Sequence, residues 1–463
     1  MRKIIFFLFA PLALSAQTNT AQLLDEFVSG QSKYFHFNGN VLVADKGNII
    51  LQKSFGYADY DTKRMLNNTS SFELASVSKQ FTAMAVLILK ERKMLSLDDS
   101  LRKFFPELPY QNITIRQLLT HTSGLPDYMD EMAKKWDHKK IAFNSDMITF
   151  LATEKPAAHF KPGEKWEYSN TGYAVLSSII EKVSGMSYHD FLAKNIFMPL
   201  GMKNSFVYNT RRSSNKIPNN YALGFVHSDS LNKYILPDVL PADDMVYWLD
   251  GITGDGTVNT TTGDLFKWER ALYTTKLVSQ STINEMLSPL VQTSPRSTAN
   301  FYGFGVSVQP KSDRGKIISH TGGWPGYATF IKSYADSNKT VIILSNNEWG
   351  VSFLAAGIES ILFGDTLLMP YEHKEVKIDT SLVRHYAGKY SAFLTLEFID
   401  KDGKLYRHRN GTADIELKPE SNTKFFYGDG TDKQIQFETD NNGNVVKAWF
   451  INTGQKGELK KVL

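Results

Sequence analysis

Ser76 and Lys79 stand three residues apart inside SFELASVSKQFTAMAVLILKERKML, the stretch from Ser71 to Leu95. From Phe81 to Leu89 this stretch is almost wholly apolar and lacks Gly and Pro, so it reads as a helix buried on all sides. Three helical residues place two side chains on one face, about 5 to 6 Å apart at Cβ. The Lys79 amine then lies within reach of the Ser76 hydroxyl. An alcohol is a weak nucleophile until a neighbour takes its proton, and the start of a helix also offers backbone donors to an oxyanion. The pair therefore predicts nucleophilic attack by Ser76 on a carbonyl. Ser-x-x-Lys alone is weak evidence, because it also begins at Ser100, Ser213, Ser230 and Ser421. What separates Ser76 is its place at the head of a buried helix, where a lysine is costly without a partner or a task.

Two later segments carry further polar chemistry. Tyr173, Leu176, Ile180 and Val183 recur at helical spacing and Gly185 supplies a stop, so a helix begins just after Asn170. Tyr168 and Asn170 then occupy the loop entering it, where side chains can point into a cleft. Taken singly, Tyr168 reads as a packed tyrosine and Asn170 as a cap. His320, Thr321 and Gly322 open HTGGWPG, read as a Gly- and Pro-rich connection. His121 ends a short helix over Ile113 to Thr120 and reads as a turn or core residue satisfied by backbone.

The elements that must position these residues follow from patterning. Asn40 to Ala44 and Asn48 to Lys53 form a hairpin about Asp45-Lys46-Gly47. Strands are expected over Lys316 to Ser319, Ala328 to Tyr334 and Thr340 to Ser345, and a helix over Val351 to Phe363. Thr261 caps a helix through Asp264. Strands at both ends with helices between predict an α+β fold whose termini meet in one antiparallel sheet, flanked by helices with a helical lobe. Arg211 to Asp250 reads as a long excursion over the cleft. Residues 366–379 read as a linker. Residues 380–463 read as a small all-β domain, sandwich or barrel, with turns at Asp402-Gly403 and Asn441-Asn442-Gly443.

Composition narrows the classes further. The 463 residues carry a net charge of +4 without a long basic block, which argues against nucleic acid as a partner. Arg2 and Lys3, the apolar run Ile4 to Leu14 and small residues at Ser15-Ala16 make residues 1–16 a secretory signal, cleaved near Ala16. The run is too short for a stable membrane span. With no cysteine there is no disulfide framework and no thiol nucleophile. The expected location is periplasmic or secreted. No phosphate loop, zinc-type His pair or dinucleotide fingerprint is present, so neither cofactor nor metal is expected. The partner is a small-molecule or peptide substrate, and oligomeric state carries no sequence signal.

Ser76-Val77-Ser78-Lys79, Tyr168-Ser169-Asn170 and His320-Thr321-Gly322, with LLTHTSGLP, YSNTGY and SHTGGWPGY around them, resemble the penicillin-recognising serine hydrolases. The chain is most similar to their class C β-lactamase and D-Ala-D-Ala carboxypeptidase-like branch, and the resemblance covers Val41 to Phe363. It implies a β-lactamase/DD-peptidase-like domain over residues 17–365 and an acyl-enzyme at Ser76. Lys79 and Tyr168 would share the handling of the serine proton, with the base left open between them. Asn170, His320 and Thr321 would bind substrate, and the backbone N–H groups of Ser76 and Gly323 would form the oxyanion hole. His320 departs from the pattern, standing where a permanent lysine cation is usual for a substrate carboxylate. The resemblance then points to D-amino-acid peptides, amides or esters, with β-lactamase or D-Ala-D-Ala carboxypeptidase as the alternative. A ligand-binding or sensor protein on the same fold is the non-enzymatic reading.

Overall fold

The computed structural model describes residues 10–213, 217–295, 297, 299–348, 350–440 and 443–462. They cluster into two compact units, Asn38–Val351 and Met1–Phe37 with Ser352–Leu463.

In the first unit the runs rich in Val, Ile and Leu at its two ends become one sheet. Gly39–Asp45 (β1) and Asn48–Phe55 (β2) form the expected hairpin, with Lys46 and Gly47 at φ 51° and 76° in its turn. Val291–Gln292 (β3), Phe301–Tyr302 (β4), Ser307–Gln309 (β5), Ile317–Trp324 (β6), Tyr327–Tyr334 (β7) and Lys339–Ser345 (β8) complete it. The order is β3-β4-β5-β6-β7-β8-β1-β2, antiparallel throughout. β1 pairs with β8 from Gly39↔Ser345 to Ala44↔Thr340, so the ends of the unit meet as the α+β reading requires.

One strand runs further than its composition suggests. β6 continues through His320-Thr321-Gly322-Gly323 to Trp324, in register with β7 as far as Trp324↔Tyr327, where the sequence reads as a connection. Gly in a strand interior often marks a close backbone approach, and Gly322 does so here.

The helix Lys79–Glu91 is buried from Lys79 to Leu89, as its composition demands. Helix Asn170–Ser184 packs against it. Phe81 meets Trp268, of helix Thr262–Ala271, at 4.4 Å between ring centroids, and Thr261 Oγ1 caps that helix by accepting from Asp264 N at 3.1 Å. Each such buried side chain contributes about 1.5 to 3 kcal/mol. The excursion Arg211 to Asp250 contains a short hairpin, Val226–Ser228 with Lys233–Ile235, and the helical turn Met245–Trp248.

The second unit holds helix Ala10–Phe35, which runs through the expected cleavage point. The remainder of the expected signal, residues 1–9, lies outside the described residues. No helix among the described residues is long and apolar enough to cross a membrane. Helix Val351–Phe363 forms as expected, and Gly357 lies so close to Phe27 that a Cβ would come within 2.2 Å of its ring. Residues 366–379 contain no helix or strand.

The β segment closes into a barrel of eight strands: Gly388–Ser391 (β9), Thr395–Lys401 (β10), Lys404–His408 (β11), Ile415–Pro419 (β12), Lys424–Tyr427 (β13), Gln434–Thr439 (β14), Val445–Asn452 (β15) and Gln455–Val462 (β16). β9 pairs with both β10 and β16, which leaves no free edge. Leu396 and Phe398, Leu405, Leu417, Phe425 and Tyr427, and Ile435 and Phe437 alternate inward with period two. Val383 and Tyr386 of the short helix Val383–Tyr386 join this interior, with Tyr386 stacked on Phe437 at 4.5 Å. Of the expected turn Asn441-Asn442-Gly443, the two asparagines lie outside the described residues.

Candidate active site

Ser76 sits in a single 3-10 turn, Ala75–Ser78, that leads straight into helix Lys79–Glu91. Ala75 has φ 47°, a left-handed conformation that costs a non-glycine residue about 1 to 2 kcal/mol. Three hydrogen bonds with two neighbours, Val258 and Thr329, hold the turn in place. Leu74 N donates to Val258 O at 2.8 Å, Val258 N donates to Ser78 Oγ at 3.1 Å, and Thr329 Oγ1 donates to Leu74 O at 2.7 Å. β6 lies flush on it: a Cβ on Gly322 would come within 2.2 Å of Leu74 O and 3.1 Å of Ser76 N. Gly323 by contrast has nothing within 4 Å of its Cβ position.

Lys79 is fully buried, and its amine has three acceptors: Ser76 Oγ at 3.1 Å, Asn170 Oδ1 at 2.9 Å and the carbonyl of Asp255 at 2.9 Å. Three donors meeting three acceptors is what an ammonium requires. Asp255 is buried beside it and accepts from Tyr128 Oη at 3.0 Å. Burial raises the Asp255 carboxyl above its usual range, and the Lys79 charge opposes that rise.

Asn170 begins its helix, and Ser169 is the cap, accepting from Gly172 N at 3.1 Å. Asn170 is thus released from capping, and its amide holds Lys79. Tyr168 is 36% exposed, with its ring 4.9 Å from Lys79 Nζ. His121 sets the loop on which Tyr168 stands. Its Nδ1 accepts from Ser169 N at 3.0 Å, its carbonyl accepts from Glu167 N, and its ring lies 4.4 Å from that of Tyr168. A ring nitrogen that accepts carries no proton, and burial followed by the charge of Lys79 pushes His121 well below the usual histidine range. The turn-or-core reading of His121 describes its bonds; its contact with Tyr168 was not legible.

His320 is 6% exposed on β6. Its Nδ1 donates to Thr321 O at 2.6 Å, so Nε2 accepts from Tyr302 Oη at 3.0 Å and the ring is neutral. Burial, reinforced by Lys79, lowers it to about 4. Thr321 is exposed on the same strand.

Ser76 and Gly323 line two cavities at once. The first, of about 550 Å³, is largely apolar through Met129, Met245, Leu249, Ile252 and Trp324, and carries the carboxyls of Glu73, Asp255 and Glu348. Burial raises all three carboxyls. Met245 and Leu249 belong to the excursion expected to cover the cleft. The second, of about 540 Å³, is polar, with Tyr168, Asn300, Gln309, Ser319, His320 and Thr321. Among the described lining residues of either cavity there is no Lys or Arg. The structure therefore brings Ser76, Lys79, Tyr168, Asn170, His320, Thr321 and Gly323 to one place.

The sequence model of the Beta-lactamase family matches residues 24–361. The chain belongs to the β-lactamase family. This β-lactamase-family serine hydrolase is 44% identical over 402 residues to penicillin-binding protein 4* of Bacillus subtilis, covering 84% of this chain and 88% of the relative. It is 25% identical over 342 residues to a D-aminopeptidase of Cereibacter sphaeroides, covering 74% and 63%. The crystal structure of a penicillin-binding protein from Bacillus halodurans matches with TM-score 0.64 at 27% identity, covering 72% of this chain and 98% of that one. The β-lactamase fold and the resemblance read from the motifs both hold. Beyond those motifs, sequence reasoning missed Tyr128 and Asp255, which no short pattern marks.

Proposed function

We propose that this chain is an exported hydrolase in which Ser76 attacks the carbonyl of an amide or ester, giving an acyl-enzyme that water then cleaves. The hydroxyl proton passes to whichever of Lys79 and Tyr168 enters the step with a free lone pair, and that group then gives it to the leaving group. The backbone N–H groups of Ser76 and Gly323 receive the oxyanion, and Asn170 Nδ2 meets the substrate amide. Residues 1–16 act as the export signal, the linker at 366–379 leads to the barrel, and no cofactor or metal takes part.

The observation that carries this reading is Ser76 bonded to a buried, fully partnered lysine where two cavities meet. The substrate is a D-amino-acid peptide, amide or ester with an apolar side chain. Its support is threefold: the apolar first cavity, the carboxyls there that suit a free amine, and a neutral His320 where a carboxylate-binding cation would stand. The D-aminopeptidase relative favours the same class. A β-lactamase or D-Ala-D-Ala carboxypeptidase is the second reading, favoured by the penicillin-binding relatives.

A fluorescent phosphonate should label wild type and not Ser76→Ala; equal labelling of both would remove the nucleophile. D-phenylalanine p-nitroanilide and p-nitrophenyl esters should turn over faster than nitrocefin. A nitrocefin rate far above both would reverse the two readings. Release of no product from any of them would leave a binding protein on this fold.

A further inference from the structure

In the barrel, antiparallel strands send alternate turns to opposite ends. The end bearing the β10–β11 and β12–β13 turns is stoppered: Gly403 lies against Thr380, and Tyr386 Oη donates to Asn422 O at 2.7 Å. The other end is covered in part: Gln31 Nε2 donates to Asp432 Oδ2 at 2.9 Å beside the β13–β14 turn, and Gly454 of the β15–β16 turn lies against Leu368. There a cavity of about 340 Å³ is walled by Leu396, Ile415, Tyr427 and Phe450, a size typical of small-molecule sites.

Cations surround this apolar mouth. Arg407 follows inward-facing Leu405 by two residues and pairs across the sheet with Phe398 and Ile415, so it occupies an interior register position. Arg409 and Lys433 also line the cavity. Among the described residues no carboxylate lies within ion-pair distance of Arg407 or Arg409; Arg407 Nη1 donates to His408 O at 2.8 Å, and Lys433 has only Asp429 at 3.8 Å. A half-buried arginine at an interior register position without a carboxylate still has donors to give. A second observation is independent of charge. Tyr427 is 4% exposed, lines this cavity, and its hydroxyl has no hydrogen-bond partner. A buried unpaired hydroxyl costs about 1 to 3 kcal/mol and is uncommon.

We infer that the cavity beside the β11–β12 turn of the barrel binds a small amphiphilic anion, its apolar body against Leu396, Ile415 and Phe450 and its carboxylate or phosphate head on Arg407, Arg409 and the Tyr427 hydroxyl. This site is separate from Ser76 and requires no turnover.

Calorimetric titration of the full chain, below micelle concentrations, with decanoate, decyl phosphate, decyltrimethylammonium and decyl maltoside tests it. The two anions should bind saturably at one site and the other two at least about tenfold more weakly. Binding of only one of the two anions still supports the site and names its head group. Arg407→Gln with Arg409→Gln should weaken the anions about tenfold or more, and Tyr427→Phe about threefold. Arg409→Gln alone, at the exposed rim, should weaken them several-fold while leaving the melting temperature unchanged. Ile415→Trp, which fills the mouth without altering charge, should abolish binding and so exclude the cavities beside Ser76. No anion binding by wild type, equal binding of anion and cation, or full affinity in the double arginine variant overturns the inference.

Discussion

Two cations in this chain stand in apolar surroundings with opposite hydrogen-bonding states. Lys79 is completely buried, and each of its donors has an acceptor fixed by a different element: Ser76 on the turn, Asn170 at a helix start, Asp255 on a loop. Arg407, half-buried at an interior register position of the barrel, has one bond to a carbonyl and, among the described residues, no carboxylate within ion-pair distance. The first arrangement fixes a group in one position; the second keeps donors in reserve for something arriving from outside. A buried charge satisfied within the protein thus marks preorganised chemistry, whereas a half-buried one left short marks recognition.

The predictions test that contrast, from the largest effect downward. Ser76→Ala should lower kcat on an activated ester by about 10⁴ to 10⁶-fold, read by steady-state rates with loss of any acylation burst. Lys79→Met should cost about 10³-fold in rate. It should also destabilise by about 1 to 3 kcal/mol in urea unfolding, because Asn170 Oδ1 and the Asp255 carbonyl lose their donor. If Lys79→Met unfolded no more readily than wild type, the amine would not be the fixed group described here.

His320 supplies a pH dependence. Its native value of about 4 lies below the ordinary 6.5, so between these the unfolded chain binds a proton that the native chain does not. Stability should therefore be full above pH 6.5 and fall as pH drops toward 4, by about 3 kcal/mol. Urea midpoints across this range should show a shallower slope in His320→Gln. An unchanged slope would mean that the ring is not held neutral. Tyr128→Phe removes the donor to Asp255 and should cost about 1 to 2 kcal/mol by thermal unfolding. Arg407→Leu should act in the opposite direction and stabilise the barrel by about 0.5 to 1 kcal/mol, because it removes an uncompensated cation from an apolar wall. A destabilised Arg407→Leu would break the contrast.

Much of the hydrolase unit was legible because its chemistry is local. Ser76 and Lys79 share one turn, the Asp45-Lys46-Gly47 hairpin needs only its own residues, and Thr261 caps within three positions. His320 to Gly323 read as a connection because Gly and Pro signal turns, yet pairing with β7 and contact with the Ser76 turn hold the segment extended. Asp255, Tyr128 and the hold of His121 on the Tyr168 loop join segments up to 176 residues apart, and no local pattern announces such contacts. The barrel's alternation was legible as strands. Closure was not, since it depends on β9 meeting β16, whose registered residues include Lys389 and Val462.

The seating of β6 on the nucleophile's turn has a consequence for biosynthesis. Serine and lysine emerge from the ribosome early, but the strand that completes their pocket comes some 240 residues later and sits in a sheet that also needs β8 laid beside β1. Ordering such distant partners is slow. A growing chain therefore holds an unfinished nucleophile, and competence arises only once the last third of the hydrolase unit has been made.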